Sequence, residues 1–182
     1  MSAYDPKRTS LFTAQYGLML GGQPRGKHMA TTASTSHPSL SHTDAIAATW
    51  SDFLLLVGRV FLGWLFLASG YGKLTGIAGA SAYFTSLGLS PPEFWAWFAG
   101  IVELVLGVTL ILGIATRYAA IASFVWVLVA TAIAHRYWTY PSSQQVGQYN
   151  NWLKNIAIMG GILYMFVTGA GRYALDAMLA RR

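Results

Sequence analysis

"GRVFLGWLFLASGYGKL", residues 58–74, is apolar enough to sit in a lipid bilayer, yet Arg59 lies near its start and Lys73 near its end. Such a run reads as a membrane helix, and its charges then need an explanation. An unpaired charge at mid-depth in a bilayer costs at least about 2.5–3.5 kcal/mol on insertion scales. The fold and the function both turn on where these two side chains go.

The rest of the chain agrees with a lipid solvent. Of 182 residues, 54% are hydrophobic and only 10% charged, against about 25% charged in soluble domains. So few charges could not cover a water-exposed surface, and the mean hydropathy is +0.45. The absence of cysteine excludes disulfides, thiolate metal sites, cysteine-ligated iron–sulfur clusters, covalent haem and thiol redox chemistry carried by this chain. The net charge of +6 does not point to nucleic acid, because no basic patch is interleaved with aromatics. In a membrane protein it reports topology instead.

Four apolar spans follow one another: about 53–71, 94–112, 118–134 and 156–168. A spanning helix needs roughly 17–25 residues. The first three runs reach that length. The fourth does so only if it extends back to Trp152 and Lys154 snorkels to the interface. The runs are continuous rather than alternating, so helices rather than a barrel satisfy the backbone in lipid. Trp50, Trp95, Trp97, Tyr118, Tyr137, Trp138, Trp152 and Tyr173 lie near span ends, as an interfacial aromatic belt does. The expected fold is an all-α membrane protein: a four-helix transmembrane bundle (51–176) after a disordered N-terminal tail (1–50), with a short basic C-terminal tail (177–182). The tail, with "MATTASTSHPSLSHT", has no core-forming pattern. Its apolar patch "LFTAQYGLMLGG" is too brief to span, and no signal peptide is assigned. Met29 offers a second start codon.

Orientation comes from lysine and arginine. Four crossings put both termini and the loop at Arg117 on one side. Near the membrane, that side holds Arg117, Arg172, Arg181 and Arg182, against Lys73, Arg136 and Lys154 on the other. Both termini are therefore expected in the cytoplasm.

Asp52, Arg59, Phe66 and Lys73 recur every seven residues, and Gly63 and Gly70 fall on the same stripe. A step of seven slips only about 20° around a helix, so one face carries the charges and the glycines. Small residues allow close helix approach, and intramembrane charges face the bundle interior. Both place this face inward. The second span offers Glu103, flanked by Gly100 and Gly107. Counting from Ser51, Arg59 lies about 12 Å from the inner boundary, and counting from Gly113, Glu103 lies about 15 Å from it. The expectation is an Arg59–Glu103 pair inside the membrane, serving either as helix glue or as a functional polar centre.

A second cluster gathers at the outer rim. The ends of three helices bring Lys73, His135, Arg136, Lys154 and Asn155 to one end of the bundle. The rim suits an anion or a polar head group; the plainer reading is a set of snorkelling interface residues. Other chemistries fail. Haem b needs two facing histidines, and only His135 lies near a span. No carboxylate–histidine spacing resembles a metal site. "GGQPRG" is not a phosphate loop, and "SLGLS" is not a nucleophile elbow.

"GRVFLGWLFLASGYGKL", "GLSPPEFWAWFAGIVELVLGVTLILGIATR", "NNWLKNIAIMGGILYM" and "TGAGRYALD" occur in this order across about residues 53–176. In this the sequence resembles the DoxX family of small bacterial membrane proteins. The resemblance places Arg59, Gly63, Gly70, Lys73, Glu103, Gly113, Thr116 and Arg117 on motif positions, with His135 and Asn155 beside them. It implies an inner-membrane location and association with oxidoreductases. The family takes its name from a membrane subunit of a thiosulfate:quinone oxidoreductase. With no cysteine and no cofactor motif, redox work here would run through a bound quinone or a partner oxidoreductase subunit. Two readings follow: the membrane subunit of a quinone-linked thiosulfate or thiol complex, or a non-catalytic scaffold or assembly factor. In the first, Lys73, His135 or Lys154 hydrogen-bonds a quinone oxygen and Arg59–Glu103 relays protons. A small-solute transporter is disfavoured, since no broken-helix pair or inverted repeat is visible. A bundle this small has little room for a cofactor, which makes a homodimer or partner subunit plausible.

Overall fold

A computed structural model describes residues 41–180. Four long helices dominate: α1 (Ser41–Thr75), α3 (Pro92–Leu112), α4 (Thr116–Ala134) and α5 (Ser142–Thr168). Two short ones, α2 (Ile77–Ser86) and α6 (Leu175–Leu179), and a 3-10 turn (Tyr137–Thr139) complete the described residues, which contain no strand. The local chemistry sets the boundaries. Pro92 opens α3 at a position where its missing N–H goes unneeded. Gly113 closes α3 in the left-handed conformation, φ 68°, with its N–H on the Thr109 carbonyl at 2.9 Å.

Three helices are long and apolar enough to cross a membrane: α1, α3, and α4 with its 3-10 extension (Ser41–Thr75, Pro92–Leu112, Thr116–Thr139). The expected fourth span is a helix, but it does not meet that standard. Its first turns read "SSQQVGQYNN", and the apolar remainder, 156–168, is only about 20 Å long against about 30 Å of hydrocarbon. The exterior is apolar: Phe61, Trp64, Tyr164 and Val167 are each more than 60% exposed. A water-soluble monomer does not carry so extensive an apolar surface.

The N-terminal boundary also differs from expectation. Residues 41–50, expected in the tail, are the exposed start of α1. "HTDAIAAT" is rich in alanine and forms helix readily. Residues 1–40, the rest of the expected tail, lie outside the described residues.

The core draws on every long helix: Phe66 of α1, Leu106 and Leu110 of α3, Ala120 and Val127 of α4, and Ile158, Ile162 and Met165 of α5. α5 packs along α4, and α2 packs on α3. The inward face of α1 is the predicted stripe, since its buried residues are Arg59, Gly63, Phe66 and Gly70.

Candidate functional site

α1 and α3 meet through glycines spaced by seven on both helices. A methyl added at Gly63 would lie 2.8 Å from the Gly107 carbonyl, and one at Gly70 would lie 2.7 Å from the Gly100 carbonyl. The backbones touch there, which fixes an antiparallel register. In that register Gly70 stands beside Glu103 and Leu104, and Arg59 stands beside Gly113.

The register overturns the expected Arg59–Glu103 pair. Glu103 Oε2 receives a hydrogen bond and salt bridge from Lys73 Nζ at 2.6 Å. Arg59 donates through Nη2 to the Tyr173 carbonyl. About ten residues of α3, or about 15 Å, separate their levels. The depth estimate failed because it began at Ser51. Arg59 and not Ser51 is level with Gly113, so α1, which begins at Ser41, projects past α3, and Arg59 lies at the end of α3 rather than at its middle. Glu103, by contrast, is at mid-helix as expected.

The ion pair has two further partners. Lys73 Nζ donates to Ser69 Oγ one turn away at 2.8 Å, and Trp126 Nε1 of α4 donates to Glu103 Oε1 at 3.3 Å. Glu103 is 8% exposed. Three helices thus converge on one carboxylate.

Glu103 and Trp126 line two separate cavities of about 200 Å³ each. One is the more polar, with Ser69, His135, Lys154 and Asn155 on a wall shared with Leu65, Phe66, Val127 and Ile158. The other is apolar apart from Lys73 and Glu103, with Phe84, Trp95, Phe98 and Ile133 among its walls. The structure therefore brings His135, Lys154 and Asn155 together with Glu103, while Lys73 faces the second cavity. His135 Nδ1 shares a hydrogen bond with Gln148 Oε1 at 2.9 Å, Asn155 Nδ2 donates to Thr131 Oγ1 at 2.8 Å, and Lys154 Nζ donates to Asn151 Oδ1 at 3.2 Å. Arg136 is not on either wall. Among the described residues no cluster of histidine, aspartate or glutamate could hold a metal ion.

Arg59 belongs to a different assembly at the far end. Its guanidinium lies against Gly113, and a side chain at Gly113 would collide with it and with Ala174. Asp176 accepts from the Ala115 N–H at 2.7 Å, the Thr116 N–H at 2.8 Å and Thr116 Oγ1 at 2.9 Å. It thereby caps α4 from 60 residues downstream. Burial pushes its carboxyl up, but the N–H groups of Thr116 and Ala115, the Thr116 hydroxyl and the Arg59 charge hold it below its usual value. Asp52 completes the assembly by accepting from the Arg172 N–H at 2.8 Å.

Sequence reasoning missed Ser69, Trp126, Tyr173 and Asp176. One signal was available for the last: "GIATR" places Ala115, which has no side-chain acceptor, at the N-cap of α4. A cap from elsewhere was therefore required.

A family profile described as DoxX matches residues 54–136. The inner membrane protein YphA of Escherichia coli (strain K12) is 31% identical over 123 residues, 68% of this chain and 88% of that protein. The inner membrane protein YqjF of the same strain is 28% identical over 131 residues, 72% and 95%. CatD of Bacillus subtilis (strain 168), provisionally named an oxidoreductase, is 39% identical over 62 residues, 34% and 45%. No solved structure matches at comparable significance.

Proposed function

The chain belongs to the DoxX family, and on that premise we propose that it is the membrane subunit of a quinone-linked redox complex that oxidises a thiol or thiosulfate through a partner. The observation that carries this reading is the Lys73–Glu103 pair, with Glu103 on the wall of both cavities and Lys73 on that of the apolar one. Burying an ion pair is seldom a net gain in stability, and ionisable groups inside a membrane protein mark functional sites more often than structural ones. Here the pair also lines a cavity. The provisional naming of CatD as an oxidoreductase points the same way.

The proposed placement is a bacterial inner membrane with α5 as a fourth crossing, and YphA and YqjF are inner membrane proteins. The contacts of α5 support that crossing. Its start is near His135, through Gln148, and the segment after it binds Asp52 and Arg59 at the opposite end.

The second reading is a non-catalytic scaffold for a partner oxidoreductase. It is favoured by the position of the ion pair in the glycine seam, where it also fastens α1 to α3. One preparation distinguishes the two. The redox subunit co-purifies with quinone, or reduces added quinone with thiosulfate or a thiol. A protein that does neither, yet retains a stable partner, is the scaffold.

A further inference from the structure

The two cavities are chemically unlike, and the difference assigns them. We propose that the apolar cavity is the seat of a quinone-type ring, with a keto oxygen of that ring accepting a hydrogen from Lys73 Nζ, and that the polar cavity holds water. The assignment rests on the quinone-linked reading above and adds where the ring sits and what orients it.

Four aromatic side chains stand on the apolar wall: Phe84, Trp95, Phe98 and Trp126. Phe98 meets Trp126 edge-on at 5.9 Å and Trp95 edge-on at 6.0 Å. Such walls suit a flat conjugated ring. At about 200 Å³ the space is smaller than the roughly 300–1,000 Å³ of drug-sized sites, so it takes a head group and not its tail. Val129 and Ile133 lie on the same wall and are 45% and 36% exposed on the outside of α4. A tail leaves past them into lipid.

The polar partner is equally specific. An ammonium carries three hydrogens. Lys73 commits one to Ser69 and one to Glu103. The third has no partner among the described residues, and Lys73 lines the apolar cavity. Lys73 thus offers a ligand there one donor on a wall that is otherwise apolar apart from Glu103.

A ring in the other cavity would strip water from Glu103, His135, Lys154 and Asn155 together. Burying a polar group without a replacement bond is unfavourable at every such site. Water meets those groups better, and the space holds about six molecules at about 30 Å³ each.

The test uses the full-length chain in detergent and an azido derivative of decylubiquinone. Photolabelling is expected on the segments 95–98 and 129–133. Phenylalanine at both Val129 and Ile133 fills the apolar cavity and is expected to weaken decylubiquinone binding by about tenfold or more, whereas Leu65→Phe, which narrows the polar cavity, leaves it unchanged. Lys73→Met weakens decylubiquinone but not naphthalene, which lacks the keto oxygen. Photolabelling of the wild-type chain needs no variant to fold. Label on 154–158 instead overturns the placement and leaves the quinone reading intact. Equal binding of naphthalene and decylubiquinone to wild type overturns the role of Lys73. A wild-type chain that binds no quinone overturns both proposals.

Discussion

At the scale of single residues, three charges decide how the interior works. Lys73 and Glu103 satisfy one another, and removing one partner of a buried pair strands the other. Lys73→Met is expected to lower unfolding free energy in detergent by about 3–5 kcal/mol, and adding Glu103→Leu to recover a large part of that. Arg59 stands apart from this pair. Arg59→Leu and Glu103→Gln should therefore combine additively to within about 0.5 kcal/mol, while Lys73→Met and Glu103→Gln should not. Denaturant titration of the two double-mutant cycles gives both answers. A coupling of 1 kcal/mol or more between Arg59 and Glu103, on the order expected for contacting residues, would return the pair that the sequence suggested. That suggestion was half legible. Heptad spacing did reveal that Arg59 and Glu103 face inward, and both are buried. Which charge meets which depends on helix register, and the glycine seam sets it so that α1 projects past the end of α3. Ala45, Ala47 and Ala48 continue α1 without the apolar signal used to mark its start.

At the scale of elements, glycines and a remote cap hold the helices in place. Gly70 and Gly72 make a controlled comparison. A methyl at Gly70 would press on the Leu104 nitrogen at 2.6 Å and the Gly100 carbonyl at 2.7 Å, whereas one at Gly72 meets nothing within 4 Å. Gly70→Ala should destabilise by about 1–3 kcal/mol through overpacking. Gly72→Ala should be neutral or stabilise by up to about 1 kcal/mol, since alanine is the better helix former. Thermal unfolding of the two variants side by side reads the contrast. Asp176→Ala removes the cap of α4 and should cost about 1–2 kcal/mol. The same carboxylate sets a pH dependence. Its folded-state value is depressed, so its contribution is complete above the unfolded value of about 4 and disappears as pH falls through the lower folded value. Wild type should accordingly lose stability between neutral pH and pH 3 by more than Asp176→Ala does. The glycine seam was readable because both of its halves repeat at seven residues. The cap was not, because a bond between residues 116 and 176 is tertiary. α2 falls between the first two apolar runs, outside any span the sequence marks.

At the scale of the whole molecule, topology depends on α5. Composition and length reveal three candidate spans, and an odd number of crossings would put the two ends of the described chain on opposite sides of the membrane. The packing argues for an even number. Asp52 of α1 binds the Arg172 backbone, Arg59 binds the Tyr173 carbonyl, and Asp176 caps α4. The segment after α5 is thus tied to the same end as the start of α1's inward stripe. Near the membrane the arginines and lysines divide four to three, Arg117, Arg172, Arg181 and Arg182 against Lys73, Arg136 and Lys154, and on the positive-inside tendency the end with Arg117 is expected in the cytoplasm. α5 itself measures about 40 Å, so it can cross if its polar first turns stand in the outer interface. The cysteine-free chain makes this directly measurable. Single cysteines at Ala47, Gln144 and Met178, all exposed, can be probed with a membrane-impermeant maleimide in spheroplasts. Gln144→Cys should react at once, and Ala47→Cys and Met178→Cys only after lysis. Should Met178→Cys react together with Gln144→Cys while Ala47→Cys stays protected, α5 does not cross. The contacts of Asp52, Arg59 and the start of α4 with the C-terminal segment would then have no place in the membrane-embedded protein.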